Sequence, residues 1–167
     1  QLADGQWHYA KFDYIYLTQN AWFDDFSSVG NWEYFDPDVP AAGHRTSSDG
    51  ISGIFEILTG SSNKEAGAWF ESKTVSVNNP VYLKANPYLT FKFSTESGIK
   101  TWLGFDIKDN EGHALWAGAW SEDISGSPFR YVDTNGQWQI KSCSLLDWAI
   151  SKGVTGSNPR VTKIAIL

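Results

Sequence analysis

The chain has 167 residues, 16% of them aromatic and only 19% charged, with nine tryptophans and no methionine. This is the composition of an ordered, aromatic-rich β protein, long enough to bury a sizeable core as one domain over residues 1–167, and it excludes a disordered chain. A net charge of −6 argues against nucleic acid or an anionic membrane as partner and favours a neutral ligand over a strongly anionic one.

Strands are expected over residues 8–17, 31–35, 51–58, 66–77, 82–84, 88–94, 100–107, 113–120, 128–133, 137–144 and 160–167. Turn formers separate them, among them Asp36-Pro37-Asp38, Ser47-Ser48-Asp49-Gly50, Asn78-Asn79-Pro80, Ser125-Gly126-Ser127-Pro128 and Thr134-Asn135-Gly136. Short strands at this cadence predict an all-β fold, a jelly-roll β-sandwich of two antiparallel sheets. One helix is expected, over 145–152, with Leu146 and Ile150 on its apolar face and a stop at Gly153. Asp4-Gly5-Gln6-Trp7 and Asn135-Gly136-Gln137-Trp138 are alike, and a repeated hairpin turn explains the match as well as an internal repeat does.

The most telling stretch is 100–120. Leu103, Phe105 and Ile107 alternate onto one side of a strand, and Trp102, Gly104 and Asp106 onto the other. After the turn at Asp109-Asn110-Glu111-Gly112, Leu115, Ala117 and Ala119 oppose Trp116, Gly118 and Trp120. The aliphatic side is the natural core face. The opposite side then carries Trp102, Trp116 and Trp120 with Asp106, and two glycines leave room above the sheet. Flat indoles on an open sheet suit sugar rings, whose axial C–H groups stack on aromatic faces, and a carboxylate beside them can accept two hydroxyls. If both faces are covered, the same indoles are core. Trp69 with Glu71, opposite Ala68 and Phe70, is a further candidate pair. Arg130 and Gln139 join the surface if their strands share that sheet, as does Lys141. Trp32, Trp138 and Trp148 are left in the core or at a rim.

The single Cys143 excludes an internal disulfide and reads as a buried, inert thiol. No apolar run approaches the length of a membrane helix, and the first residues do not show the charged-then-apolar pattern of a signal peptide. The chain begins with Gln1 rather than Met and reads as a mature or excised segment of a multi-domain protein. A secreted or cell-surface location follows only from the ligand class.

The segment Phe23-Asp24-Asp25-Phe26-Ser27-Ser28-Val29-Gly30-Asn31-Trp32 resembles the opening of many jelly-roll carbohydrate-binding modules. Residues 136–145 followed by 161–166 are similar to their late strands, and Lys11-Phe12-Asp13-Tyr14-Ile15-Tyr16-Leu17 looks like their last one. That strand comes first in this chain, so either the order is circularly permuted, with 165–167 running into 1–5 as a hairpin, or residues 1–17 form a strand of their own or part of a preceding module. The resemblance implies a structural calcium site on Asp13 and on Asp24 or Asp25, with backbone carbonyls completing the oxygen shell. The local Asp-x-Asp-x-Asp-Gly spacing is absent, and Asp24 and Asp25 also suit a solvated turn.

Enzyme motifs mostly fail. There is no Glu-x-Asp-x-x-Glu signature of sandwich-fold glucanases, no Gln-Ile-His element of alginate lyases and no phosphate loop, and only His8, His44 and His113 are available to a zinc cluster or hydrolase triad. Glu33, Glu56, Glu71 and Asp106 lie on expected strands and leave a carboxyl pair open. The expectation is non-catalytic binding of a polysaccharide, a neutral plant or algal glycan, with no turnover. A small jelly-roll glycoside hydrolase or polysaccharide lyase is the alternative, and a surface adhesion or structural domain is the third reading.

Overall fold

Apolar residues at alternate positions become the inner faces of two sheets. The computed structural model describes residues 10–18, 22–34, 43–46, 55–58, 70–97, 103–117 and 134–166. Sheet one contains β1 (Ala10–Leu17), β2 (Trp22–Asp24), β4 (Gly43–Thr46), β5 (Phe55–Leu58), β8 (Tyr88–Thr95) and β11 (Gln139–Ser144). Its order is β11-β8-β1-β5-β4, with β2 also on β1. Sheet two contains β3 (Trp32–Tyr34), β6 (Phe70–Ser72), β7 (Val81–Tyr82), β9 (Leu103–Lys108), β10 (Ala114–Ala117) and β12 (Arg160–Ile166). Its order is β10-β9-β12-β6-β3, with β7 also on β12. Every strand pairing among the described residues is antiparallel, so the chain is the all-β sandwich its strand pattern predicts.

Phe12, Ile15 and Leu17 of β1 and Leu89, Phe91 and Phe93 of β8 join Leu103, Phe105 and Ile107 of β9 and Val161, Ile164 and Ile166 of β12 in one buried core. The spacing in β1 is irregular because Asp13 is an extra residue: the register with β8 shifts between Phe12 and Tyr14. A bulge of this kind sets two residues against one partner. Asp13 and Tyr14 thus both meet Lys92 on the outer side, and Ile15 returns to the core.

One end of the core is aromatic. Trp32 meets Trp22 edge-on at 6.5 Å and Phe26 at 5.6 Å, and Phe26 leads through Phe12 to Phe93 and Phe91. Buried Asp24 sits among these rings. It accepts the Trp32 Nε1–H at 2.9 Å and the Phe26 N–H at 2.7 Å. The second bond holds Phe26 in a left-handed backbone (φ 54) that an aromatic residue rarely adopts. The Trp22 Nε1–H is taken by Thr74 Oγ1 at 2.8 Å.

The expected helix forms as α1 (Leu145–Ser151), capped by Ser144 Oγ accepting from the Asp147 N–H, and it ends at Gly153 with φ 96. Its buried residues are Leu145 and Ala149, and Ile150 is exposed. The apolar face is therefore one residue earlier than the sequence spacing suggests, because β11 runs straight into the helix and Leu145 N–H is fixed on Pro87 O at 2.8 Å. The strand expected over 66–77 ends at Ser72. Beyond it Ser72 Oγ accepts from the Thr74 N–H and Asn79 donates to Thr74 O, so side chains take the backbone groups a ladder would need. Ala165 and Ile166 pair with β6 on one side and β9 on the other, and the remaining residues of the hairpin read between 165–167 and 1–5 lie outside the described residues. The strand expected over 128–133 lies outside the described residues.

Candidate functional site

The hairpin β9–β10 forms with the expected faces. Ala114 pairs with Lys108 and Trp116 with Asp106, while Leu103, Phe105, Ile107 and Leu115 are buried. Trp116 and Asp106 therefore share the outer face of sheet two. On the other side of β9, Asp106 is opposite Lys163 and Gly104 is opposite Ala165, which in turn faces Glu71 of β6. Small residues, Gly104 and Ala165, thus lie beneath a patch rimmed by Trp116, Asp106, Lys163 and Glu71, and both are buried under it.

Lys163 ties this patch together. Its Nζ lies 2.8 Å from Glu71 Oε1 and 6.0 Å from the centroid of the Trp116 ring. The Glu71 side chain is only 12% exposed. Asp106 is held separately, by Lys108 Nζ at 3.0 Å and by the Thr162 hydroxyl at 3.3 Å. Glu33 of β3 is directly opposite Glu71. The outcome is an indole beside alternating acids and bases, able to stack on a ring and to donate and accept hydrogen bonds around it.

Of the other residues expected to join this surface, Trp69, Trp102, Trp120 and Arg130 lie outside the described residues. Gln139 does not join it. Its strand, β11, belongs to sheet one, so the shared sheet that would have brought Gln139 and Lys141 beside Trp116 is not formed. Gln139 and Lys141 pair with Phe93 and Phe91 on the strand that ends the sheet among the described residues, and point to the inner side, where solvent still reaches them. Trp138 is not core: it is 42% exposed, with the Lys92 ammonium 5.2 Å from its ring centroid. Cys143, next along the same edge, packs against the core, and burial pushes its thiol up to about 12.

The carboxylates assigned to calcium do not fit one ion. Asp24 points inward, with its oxygens on Phe26 N–H and Trp32 Nε1–H, and burial raises its carboxyl above the ordinary 3.8 despite those bonds. The bulge turns Asp13 outward onto the Lys92 ammonium at 2.6 Å. Exposed Asp25 accepts the Ser27 N–H at 3.0 Å. Asp13 and Asp24 thus lie on opposite faces of sheet one, and among the described residues no group of three or more His, Cys, Asp or Glu side chains is placed to hold a metal ion.

Sequence reading passed over the outer face of sheet one. Tyr14 and Tyr16 stack there at 5.8 Å, Phe23 is 57% exposed opposite Tyr16, and Ile140 is 61% exposed opposite Lys92. The alternation of Tyr14 and Tyr16 against Ile15 and Leu17 was the available signal.

A second polar cluster fixes the β9–β10 turn. Asp109 accepts the N–H groups of Glu111, His113 and Gly156 at 2.8–3.0 Å and meets His113 Nδ1 at 2.7 Å. Glu111 accepts the Ser157 N–H at 2.6 Å and hydroxyl at 2.7 Å. Burial would raise the Asp109 carboxyl, but the donors outweigh it and hold it below the ordinary 3.8; the Ser157 bonds hold Glu111 below 4.5. A carboxyl depressed by folding adds stability that is present above its unfolded pKa and lost as pH falls through the folded value. Asp24, raised by burial, works in the opposite sense. Urea unfolding from about pH 5 to about pH 2 should therefore show stability falling with acid, with a shallower slope in Asp109→Asn. Equal slopes in the two proteins would show that Asp109 does not carry this linkage.

The chain has no significant match to any protein-family model, curated protein or solved structure.

Proposed function

We propose that this chain is a non-catalytic polysaccharide-binding module of jelly-roll type, part of a larger glycan-degrading protein that is secreted or held at the cell surface. The observation that carries the reading is the outward placement of Trp116 beside Asp106, Lys163 and Glu71 over the small residues Gly104 and Ala165. The indole supplies a flat apolar face for a pyranose ring, which favours stacking without regard to sequence of sugars. Asp106 accepts hydroxyl protons, and Lys163 donates to ring or hydroxyl oxygens. Asp106, Glu33 and Glu71 against Lys108 and Lys163 leave only a small negative charge on the patch, which suits a neutral plant or algal glycan better than an anionic one.

The test is affinity electrophoresis against a neutral β-glucan, a xylan, a galactomannan and an alginate. Trp116→Ala should weaken retention by the best neutral glycan by about 1–3 kcal/mol, the scale of a lost aromatic stack, with little change in melting temperature. Retention by none of the four, or a large fall in melting temperature with unchanged retention, would overturn the reading. In the first case the adhesion reading takes its place.

Glycoside hydrolysis is favoured by one observation. Glu33 and Glu71 are directly opposite, and side chains so placed have Cβ atoms about 4.5–5.5 Å apart, near the carboxyl separation of retaining enzymes. Against it, both sit on the same face of adjacent strands, and Glu71 is neutralised by Lys163. Product analysis after prolonged incubation separates the two. Oligosaccharide release that Glu71→Gln abolishes would establish the hydrolase.

A further inference from the structure

We propose that the outer face of sheet one is a second polysaccharide-binding surface, back to back with the first, and that it takes an extended run of a neutral glycan. The ligand class rests on the reading above; the residues and the sheet are different.

The strand register lays the surface out in rows. Ile140, Lys92 and Tyr14 are cross-strand neighbours over β11, β8 and β1, with Trp138 one pleat before Ile140. In the next row Ser142, Thr90, Tyr16 and Phe23 run from β11 across to β2. Three strand spacings make this strip about 14 Å wide, more than one sugar ring can cover. Two polar pairs lie among the rings. Lys92 joins Asp13 at 2.6 Å while lying over Trp138, and the Thr90 and Ser142 hydroxyls meet at 2.8 Å. They offer donors and acceptors, and the ion pair adds no net charge, as a neutral polyol requires.

Folding alone does not account for these rings. Core positions on the same strands are filled by Phe12, Ile15, Leu89, Phe91 and Phe93, and a contiguous exposed apolar patch marks an interaction site. The composition favours sugar over protein. Among the outward residues of β1, β2, β8 and β11 whose side chains are described, Ile140 is the one aliphatic to fill a protein pocket. What remains is π-faces with hydroxyls between them.

The two surfaces look away from each other across a sandwich whose sheets stand about 10 Å apart. One short glycan segment cannot stack on both. The module is therefore bivalent and bridges two chains.

Calorimetry with oligosaccharides cut from a neutral β-glucan, a xylan and a galactomannan tests this, together with agglutination of beads coated with the same polysaccharides. Sedimentation supplies the association state. Native protein should sediment as a monomer, bind two oligosaccharides per chain and agglutinate beads. Trp138→Ala, Phe23→Ala and Trp116→Ala should keep the native melting temperature. Trp138→Ala and Phe23→Ala should weaken the sheet-one site on the order of tenfold. Trp138→Ala with Phe23→Ala, and separately Trp116→Ala, should each leave one oligosaccharide per chain and no agglutination. One oligosaccharide per native chain that Trp138→Ala does not affect would overturn the proposal and leave the sheet-two site standing. Loss through Trp138→Ala with none through Trp116→Ala would uphold it and remove the sheet-two site instead. A native dimer dispersed by Trp138→Ala would also overturn it, making the face a contact between copies. Binding to none of the glycans would remove both readings.

Discussion

Trp32→Ala is expected to cost about 3–5 kcal/mol of folding stability, the range for deleting a large buried aromatic. Trp32 is 1% exposed and packs on Trp22 and Phe26. Its removal leaves a cavity that Trp22, fixed to Thr74 through its own indole N–H, is poorly placed to fill. It also strips a donor from buried Asp24. Trp32→Phe separates the two contributions: most of the ring stays while the N–H is lost, so about 1–3 kcal/mol is expected from the unsatisfied carboxylate oxygen. Denaturant unfolding of Trp32→Phe, Asp24→Ala and the double variant against the native protein measures the coupling. A Trp32→Ala loss under about 1 kcal/mol would mean that the site collapses onto the missing ring.

Gly156→Ala comes next, with an expected loss of about 1–3 kcal/mol through overpacking. A Cβ at this position would lie 2.6 Å from Asp109 Oδ2 and 2.7 Å from its Cγ, and closer still to Glu111 Oε2. Glu111 is exposed and can swing aside at the cost of its bonds to Ser157. Asp109 cannot, because four donors hold a short, buried side chain. The cost should therefore shrink when Asp109→Ser is already present, and thermal unfolding of the two single variants and the pair reads this non-additivity. Additive losses would place the strain elsewhere.

The parts of this architecture that sequence reveals are those where period-2 alternation runs unbroken. Leu103, Phe105 and Ile107 against Asp106, and Leu115 against Trp116, are such a case, and the faces of β9 and β10 follow from it. Alternation fails where geometry interrupts it. The bulge at Asp13 spaces Phe12 and Ile15 three apart, which obscures the outward set of Tyr14 and Tyr16. It also turns Asp13 away from Asp24, so two carboxylates that looked like co-ligands lie on opposite faces. At β11, the end strand of sheet one among the described residues, the polarity is reversed: Trp138 and Ile140 look outward, and Gln139 and Lys141 occupy the inner side, where they stay exposed. Strands as short as β2 and β4 carry too few residues to show a period at all. Which sheet each strand joins is a long-range fact, and that is why Gln139 was grouped with residues of the other sheet.

Cys143 lies on β11, the end strand of sheet one among the described residues, and its position has a practical consequence. It is the one cysteine in the sequence, and burial against the core pushes its thiol up to about 12. The reactive thiolate is scarce at neutral pH while β11 stays in place. Modification by a thiol reagent should then be slow in the folded protein and faster in any state that opens β11, although the half-buried sulfur is not sealed off. The chain thus carries its own reporter of opening at this strand, readable without adding a label site or disturbing either outer face.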